Sequence, residues 1–161
     1  VVLMSYATDG AAIMEELLAQ GFSGALYGAD GLADAAFTKS FTDVEALDGL
    51  IATKPRPGED STAKSDFETA YAAAGGNAEG IYTNETFDAV NLVAEAVMAD
   101  SNEDLRDDLV SLGSSYDGAS GVHTFDSNGD VSGSGYEVCN FSGTSFSCPQ
   151  TWTPSEGVLG Y

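Results

Sequence analysis

Two side chains near the front of the chain have the types and spacing to share one ligand. Tyr6 closes the apolar run Val1-Val-Leu-Met-Ser-Tyr6, and Asp30 directly follows Ala25-Leu-Tyr-Gly28. A phenol and a carboxylate facing one crevice suit a small ligand that carries an ammonium group. Other reactive combinations are weak. The single histidine, His123, lies in an alternating segment and reads as structural. A Ser-His-Asp or Cys-His centre would have to be built around that one residue, and nothing near it in sequence supports one. The sequence has no G-x-S-x-G elbow, P-loop, H-E-x-x-H or C-x-x-C. Asp126-Ser-Asn128-Gly-Asp130 resembles the start of a calcium loop, and Glu137 stands at its twelfth position. The sixth position is Val131 where a sharp turn wants glycine, and the flanks read as strands, so a turn is expected. No metal or cofactor site and no catalytic residue is expected.

The elements that must position Tyr6 and Asp30 are legible. The first apolar run is long enough for a buried strand. Thr8 or Asp9 can cap a helix, in which Ile13, Met14, Leu17 and Leu18 recur at helical spacing opposite Glu15 and Glu16. Gly21 stands where a helix takes a left-handed exit. Ala25–Gly28 then reads as a second strand. A strand, a helix and a strand in this length form a right-handed crossover between parallel strands. Both strands then point the same way, and Tyr6 and Asp30 leave at the carboxyl edge, where open α/β sheets bind ligands.

Further on, 31–41 reads as a short helix with Leu32, Ala36 and Phe37 inward, and 46–53 as a strand stopped by Lys54-Pro-Arg-Pro-Gly58. Three helices follow. The first, 61–74, is capped at Ser61, Thr62 or Ser65 and ended by Gly75-Gly76. The second, about 84–100, carries an apolar stripe of Phe87, Val90, Ala94 and Val97, widened by Ala89, Leu92, Val93 and Ala96, which implies contact on two sides. The third is capped by Asn102, with Leu105, Leu109 and Leu112 inward. Then 118–126 and 131–141 read as strands joined by Ser127-Asn-Gly-Asp130, and 144–152 as another. Cys139 and Cys148 could close a small hairpin loop; a disulfide there suits an exported protein, and two unrelated thiols are the alternative.

The 161 residues suit about one domain. With 43% hydrophobic residues the chain can bury a core, and no stretch reaches the roughly 20 apolar residues of a membrane helix. A net charge of −21, from 26 acidic and 5 basic residues, repels nucleic acid and anionic membranes and excludes both as partners. No signal peptide is visible, and the chain begins inside a strand pattern, as a mature fragment or a truncated piece would. Asn84-Glu-Thr86 and Asn140-Phe-Ser142 fit the glycosylation pattern, which is common by chance.

Three segments in order carry a resemblance: 80–90 (GIYTNETFDAV), 116–121 (YDGASG) and 125–131 (FDSNGDV), with Tyr27-Gly-Ala-Asp-Gly31 near the front. Together they resemble the carboxyl-terminal half of type I periplasmic binding proteins, nearest to the leucine/isoleucine/valine-type receptors of ABC importers, over about residues 1–141. The resemblance implies an α/β fold in two lobes joined by crossing strands: a parallel sheet with flanking helices, plus a C-terminal β-hairpin. It implies that 1–53 is part of the second lobe, that 54–130 holds a hinge crossing and helices of the first, and that 131–161 returns to the second with the tail. It assigns Tyr6 and Asp30 to a ligand's α-ammonium and Tyr82 to the side-chain pocket. Asp30 is shorter than the Glu of some relatives, so reach or ligand differs. It implies an amino-acid ligand, ABC importer membrane subunits as partners, and a periplasmic or extracellular place, lipid-anchored in some full-length forms.

The first lobe's opening βα units, which hold the α-carboxylate, have no counterpart here. The helices at 61–112 therefore lack a sheet, and the chain is expected to dimerise or to pair with the missing part. Rival readings are a ligand-sensing domain of a receptor or regulator, and a small acidic enzyme using Asp30 and Glu85.

Overall fold

The computed structural model describes residues 1–77, 80–99, 104–131, 133, 135–153 and 157–159. It divides into two compact units, 1–56 with 135–161, and 57–134.

The first unit is built on a six-stranded sheet. Its strands are β1 (Val2–Leu3), β2 (Tyr27–Gly28), β3 (Ile51–Pro55), β6 (Tyr136–Ser142), β7 (Ser145–Thr153) and β8 (Gly157–Leu159), in that spatial order. The first three are parallel, and β3 pairs antiparallel with β6. Helix α1 (Ala7–Ala19) makes the crossover between β1 and β2. It starts earlier than Thr8 or Asp9 would allow as caps: Tyr6 takes the cap position without a side-chain bond, and Asp9 lies in the first turn, where the helix dipole favours an acid. Gly21 has φ +85°, and the N–H groups of Gly21 and Phe22 donate to the carbonyls of Leu18 and Leu17, which closes the helix by the glycine exit expected there.

The core contains Met14, Leu26, Leu32, Phe37, Leu47, Leu50 and Phe141. Leu32 enters it from a 3-10 turn (Asp30–Leu32), and Phe37 from the short helix α2 (Ala35–Lys39), capped by Asp34. A Cβ on Gly10 would lie 2.3 Å from the Leu32 side chain, so a larger residue there would force that buried leucine to move. Two inward assignments are corrected: Ile13 and Ala36 are exposed, because the packed face of α1 is centred on Ala11 and Met14, and that of α2 on Phe37.

The strand expected at 46–53 begins as a 3-10 turn (Val44–Leu47) that drops Leu47 into the core, and it runs on to Pro55. The prolines do not stop it at Lys54. Arg56 donates to the Gly135 carbonyl, so the nitrogen of Pro55 faces the opposite side, where β2 has already ended opposite Ala52. A missing donor costs no ladder bond there. Lys54 and Glu137 stand opposite each other and pair at 3.3 Å.

Strands β6 and β7 form a hairpin with Gly143 (φ +65°) in its two-residue turn. A register shift falls between Val138 and Asn140, beside the disulfide Cys139–Cys148, whose Cα atoms are 3.9 Å apart. Cys139 is fully buried. Closing a loop of this length restricts the unfolded chain by about 2–3 kcal/mol. The double variant Cys139→Ala/Cys148→Ala should lose that much stability in urea titrations followed by Trp152 fluorescence.

The second unit holds α3 (Thr62–Ala73), α4 (Thr83–Met98), α5 (Leu105–Leu112) and the hairpin β4 (Tyr116–Gly118)–β5 (Gly121–His123). Ser61 caps α3, accepting from the Lys64 N–H at 3.1 Å. Gly75, at φ +85°, ends it. Phe67 stacks on Phe87 at 4.2 Å and joins α3 to α4.

The face of α4 that this chain covers is Asp88, Leu92 and Ala96; the expected stripe is largely exposed, with Val90 at 62% and Val97 at 63%. Residues 88, 92 and 96 share one face at helical spacing, and the stripe around 90, 93 and 97 lies on another. The cap expected at Asn102 lies outside the described residues; Asp104 caps α5, accepting from the Arg106 N–H. No residue of α5 is fully buried, so its leucines are shallower than expected.

The expected strand 118–126 is broken by the turn at Ala119–Ser120. Phe125 bridges Val131, and the turn between them is closed by Asp126, whose Oδ1 accepts from the N–H groups of Asn128 and Asp130. No helix among the described residues is long and apolar enough to cross a membrane.

Candidate ligand-binding site

Tyr6 and Asp30 stand at the carboxyl ends of neighbouring parallel strands. Val2 is in register with Tyr27, and Leu3 with Gly28. The Ala29 N–H donates to the Leu3 carbonyl at 3.2 Å and carries the pairing one step beyond the strands. Tyr6 then turns the chain into α1, and its carbonyl accepts from the Gly10 N–H at 2.7 Å. Asp30 opens the 3-10 turn that sends Leu32 into the core.

The two arms touch through their backbones. A Cβ placed on Gly31 would lie 2.4 Å from the Ser5 carbonyl oxygen and 3.4 Å from the Tyr6 Cα. Glycine at 31 therefore sets how closely the residue after Asp30 approaches the residue before Tyr6. The Tyr6 side chain is 82% exposed, and Asp30 is half-buried. Packing fixes both backbones while the phenol stays open to solvent, an arrangement that can receive a small polar group.

Tyr82 belongs to the other unit. It occupies the cap position of α4 with φ 62° and ψ 14°, the one non-glycine residue at positive φ among those described. A bulky residue pays a conformational penalty in that region, and such outliers cluster at ligand clamps. Tyr82 lines an open apolar groove of about 580 Å³ with Glu85, Thr86, Ala89, Val90 and Val93. Glu85, the rival acid of an enzymatic reading, therefore sits in the unit of 57–134, and Asp30 in the other.

Sequence reasoning passed over a buried acid with three donors. Asp88 is 3% exposed. Its carboxylate accepts from the Ala119 N–H at 2.8 Å, the Ser120 N–H at 2.7 Å and the Ser120 hydroxyl. It thereby grips the β4–β5 turn from α4. Gly118 must be glycine, since a Cβ would lie 2.3 Å from the Asp88 carboxylate. A signal existed: Asp88, Leu92 and Ala96 recur at i, i+4 and i+8, so the acid shares the buried face.

Burial first, then the carboxylates of Asp88 and Glu95, push the Tyr116 phenol above its ordinary range, against a hydrogen bond from Asn91. Asn84, in one glycosylation pattern, lies within α4 and donates to the Ala119 carbonyl; Asn140, in the other, lies within β6.

No protein-family model and no curated protein sequence matches the chain. Solved structures do. A leucine-binding protein, LivK, from Thermotoga maritima superposes with a TM-score of 0.76 at 18% identity, over 96% of this chain and 45% of that one. The substrate-binding protein LivJ of a branched-chain amino acid transporter from Streptococcus pneumoniae, solved with isoleucine, gives 0.66 at 20% identity, over 92% and 44%. An ABC transporter substrate-binding protein from Desulfitobacterium hafniense in complex with Leu gives 0.61 at 22%, over 91% and 43%. These neighbours are binding proteins. The chain spans less than half the length of each, and its fold is a part of the type I periplasmic-binding-protein fold.

Proposed function

We propose that this chain is the carboxyl-terminal part of an extracytoplasmic solute-binding protein that delivers an amino acid, branched-chain or similar, to the membrane subunits of an ABC importer. The observation that carries the reading is the placement of Tyr6 and Asp30 at one sheet edge, with Gly31 backed onto Ser5. A carboxylate there supplies the counter-charge for an α-ammonium, and the exposed phenol a second polar contact. Tyr82 is the third residue we assign to solute contact. The chain performs no catalysis in this reading, and neighbours named as amino-acid binding proteins support that. Residues 1–56 with 135–161 correspond to the second lobe, and 57–134 to part of the first. The Cys139–Cys148 disulfide agrees with a periplasmic or extracellular place.

Native mass spectrometry of the full-length natural polypeptide, purified without refolding, tests this. An amino acid released on denaturation is the expected result. A ligand-free protein that shows no thermal shift with any of the common amino acids would overturn it.

The exposed stripe of α4 has a consequence for the 161-residue chain alone. Val90, Val93 and Val97 form an apolar face that the fold's remaining half is proposed to cover. Light scattering of the isolated chain should show a dimer or larger species, and a folded monomer would count against this pairing.

A further inference from the structure

We propose that the unit of 1–56 with 135–161 is itself incomplete, and that the bare face of its sheet over Val2, Met4 and Tyr27 is an interface. Its occupant is an amphipathic helix from the polypeptide preceding Val1, in a strand–helix unit that begins beside β1. The proposal rests on the reading of the chain as the carboxyl-terminal part of a longer protein. It assigns some of the remaining polypeptide to this lobe as well as to the first.

The register separates the two faces of the sheet. Leu3, Leu26, Leu50 and Phe141 pack with Met14 of α1 and Phe37 of α2 in one core. Val2, Tyr27 and Ile51 are in register with one another across β1, β2 and β3, and they alternate with those core residues, so they share the opposite face. Val2 is 67% exposed and Tyr27 42%; Met4, next in the alternation after Val2, is 81% exposed.

Two features mark this face as one that is covered in the whole protein. Parallel sheets are buried on both sides, and their strands read as unbroken apolar runs, as Val1-Val-Leu-Met4 and Leu50-Ile-Ala52 do. The face also carries no charge. Lys54 and Glu137 are the only charged residues of β1, β2, β3, β6 and β7, and both share the register of Ala52 and Cys139 on the other side. A solvated sheet face in a chain with 26 acidic residues would be expected to take some of them.

Handedness identifies the occupant. The steps from β1 to β2 and from β2 to β3 advance in one direction along the sheet, so right-handed connections place both on the same face. Helices α1 and α2 do share that face, since both pack into the one core. A right-handed connection reaches the other face only by stepping the opposite way. β3 is followed in space by the antiparallel β6, so the free parallel end of the sheet is β1. A parallel strand beside β1, followed by a helix that steps away from β2, delivers its helix to the bare side. A helix about 10 Å wide, seated over that strand and β1, covers Val2 and borders Tyr27 one strand spacing further on. Length for such a unit exists in this fold, because the chain covers 45% of LivK and 44% of LivJ.

Hydroxyl-radical oxidation of the unmodified full-length protein and of the 161-residue chain tests the cover without any variant. Burying side chains that are 81% and 42% exposed should slow oxidation of Met4 and Tyr27 at least about 5-fold in the full-length protein. Equal rates overturn the proposal: fast in both leaves the face bare, and slow in both means a second copy covers it. A photo-cross-linking amino acid in place of Val2 then identifies the occupant in the full-length protein. Attachment to a residue preceding Val1 is expected. Attachment to a second molecule, to residues after Tyr161, or only within 1–161 would overturn the assignment. Neither readout needs a bound amino acid, so a full-length protein that releases none while protecting Met4 and Tyr27 sinks the transport reading and keeps this one.

Discussion

Replacing Asp88 by asparagine should destabilise the unit of 57–134 by about 3–5 kcal/mol, the largest single-residue effect expected outside the hydrophobic core. The carboxylate takes two backbone N–H groups and one hydroxyl, all buried. Asparagine keeps one acceptor oxygen and replaces the other with an NH2 group, so a donor then faces the donors of Ala119 or Ser120. Their loss is worse than a missing bond, because a buried N–H without a partner retains its full desolvation penalty. Amide exchange at Ala119 and Ser120 measures this directly. Both protons should exchange slowly in the native chain and much faster in Asp88→Asn. Unchanged protection at both would show that the turn holds itself. Gly118→Ala should reproduce much of the loss from the opposite side, since its Cβ and the carboxylate claim the same space.

The same acid shows where sequence reasoning stops. Periodicity finds the faces of a helix but not which face its own chain covers. In α4 the apolar stripe is legible and includes Leu92 and Ala96, yet the residue that anchors the covered side is an aspartate. Hydrophobicity alone assigns such a residue to solvent, because an isolated charge is costly to bury. Only the partner, two N–H groups some thirty positions away, makes burial favourable; the helical spacing puts the acid on one face with Leu92 and Ala96 but does not say that this face is the covered one. The prolines at 55 and 57 misled for a related reason. Proline forbids a donor, but whether a donor is needed depends on which side of β3 is already paired.

What was legible is equally physical. Gly21 and Gly75 mark helix ends whose chemistry is local, and each stands in that role; of the three cap candidates Ser61, Thr62 and Ser65, Ser61 is the one that caps α3. The alternation of strand, helix and strand over the first thirty residues specifies a parallel crossover because the handedness rule leaves one arrangement. The same rule puts Tyr6 and Asp30 at one edge of the sheet. The close approach that Gly31 permits was not legible, since a glycine after an acid reads as any other turn.

That approach sets the second large effect. If the proposed amino-acid site is correct, Asp30→Ala in the full-length protein should weaken binding at least about 30-fold, because removing one partner of a desolvated ammonium–carboxylate pair costs ~2–5 kcal/mol. Asp30→Asn keeps the shape and loses the charge, so it should fall nearly as far if the charge is what binds. Tyr6→Phe removes one hydroxyl from an exposed ring and should cost only about 1 kcal/mol, or several-fold. Gly31→Ala moves the group rather than deleting it: the added methyl meets the Ser5 carbonyl oxygen, so one of the two arms must shift by tenths of an ångström. Calorimetric titration separates these cases. If charge and placement both matter, Asp30→Asn and Gly31→Ala lose affinity while decarboxylated analogues that keep the ammonium remain sensitive to Asp30. If Asp30→Asn binds as the parent does, the carboxylate at this edge holds no ammonium, and the shared edge of β1 and β2 is scaffold rather than site.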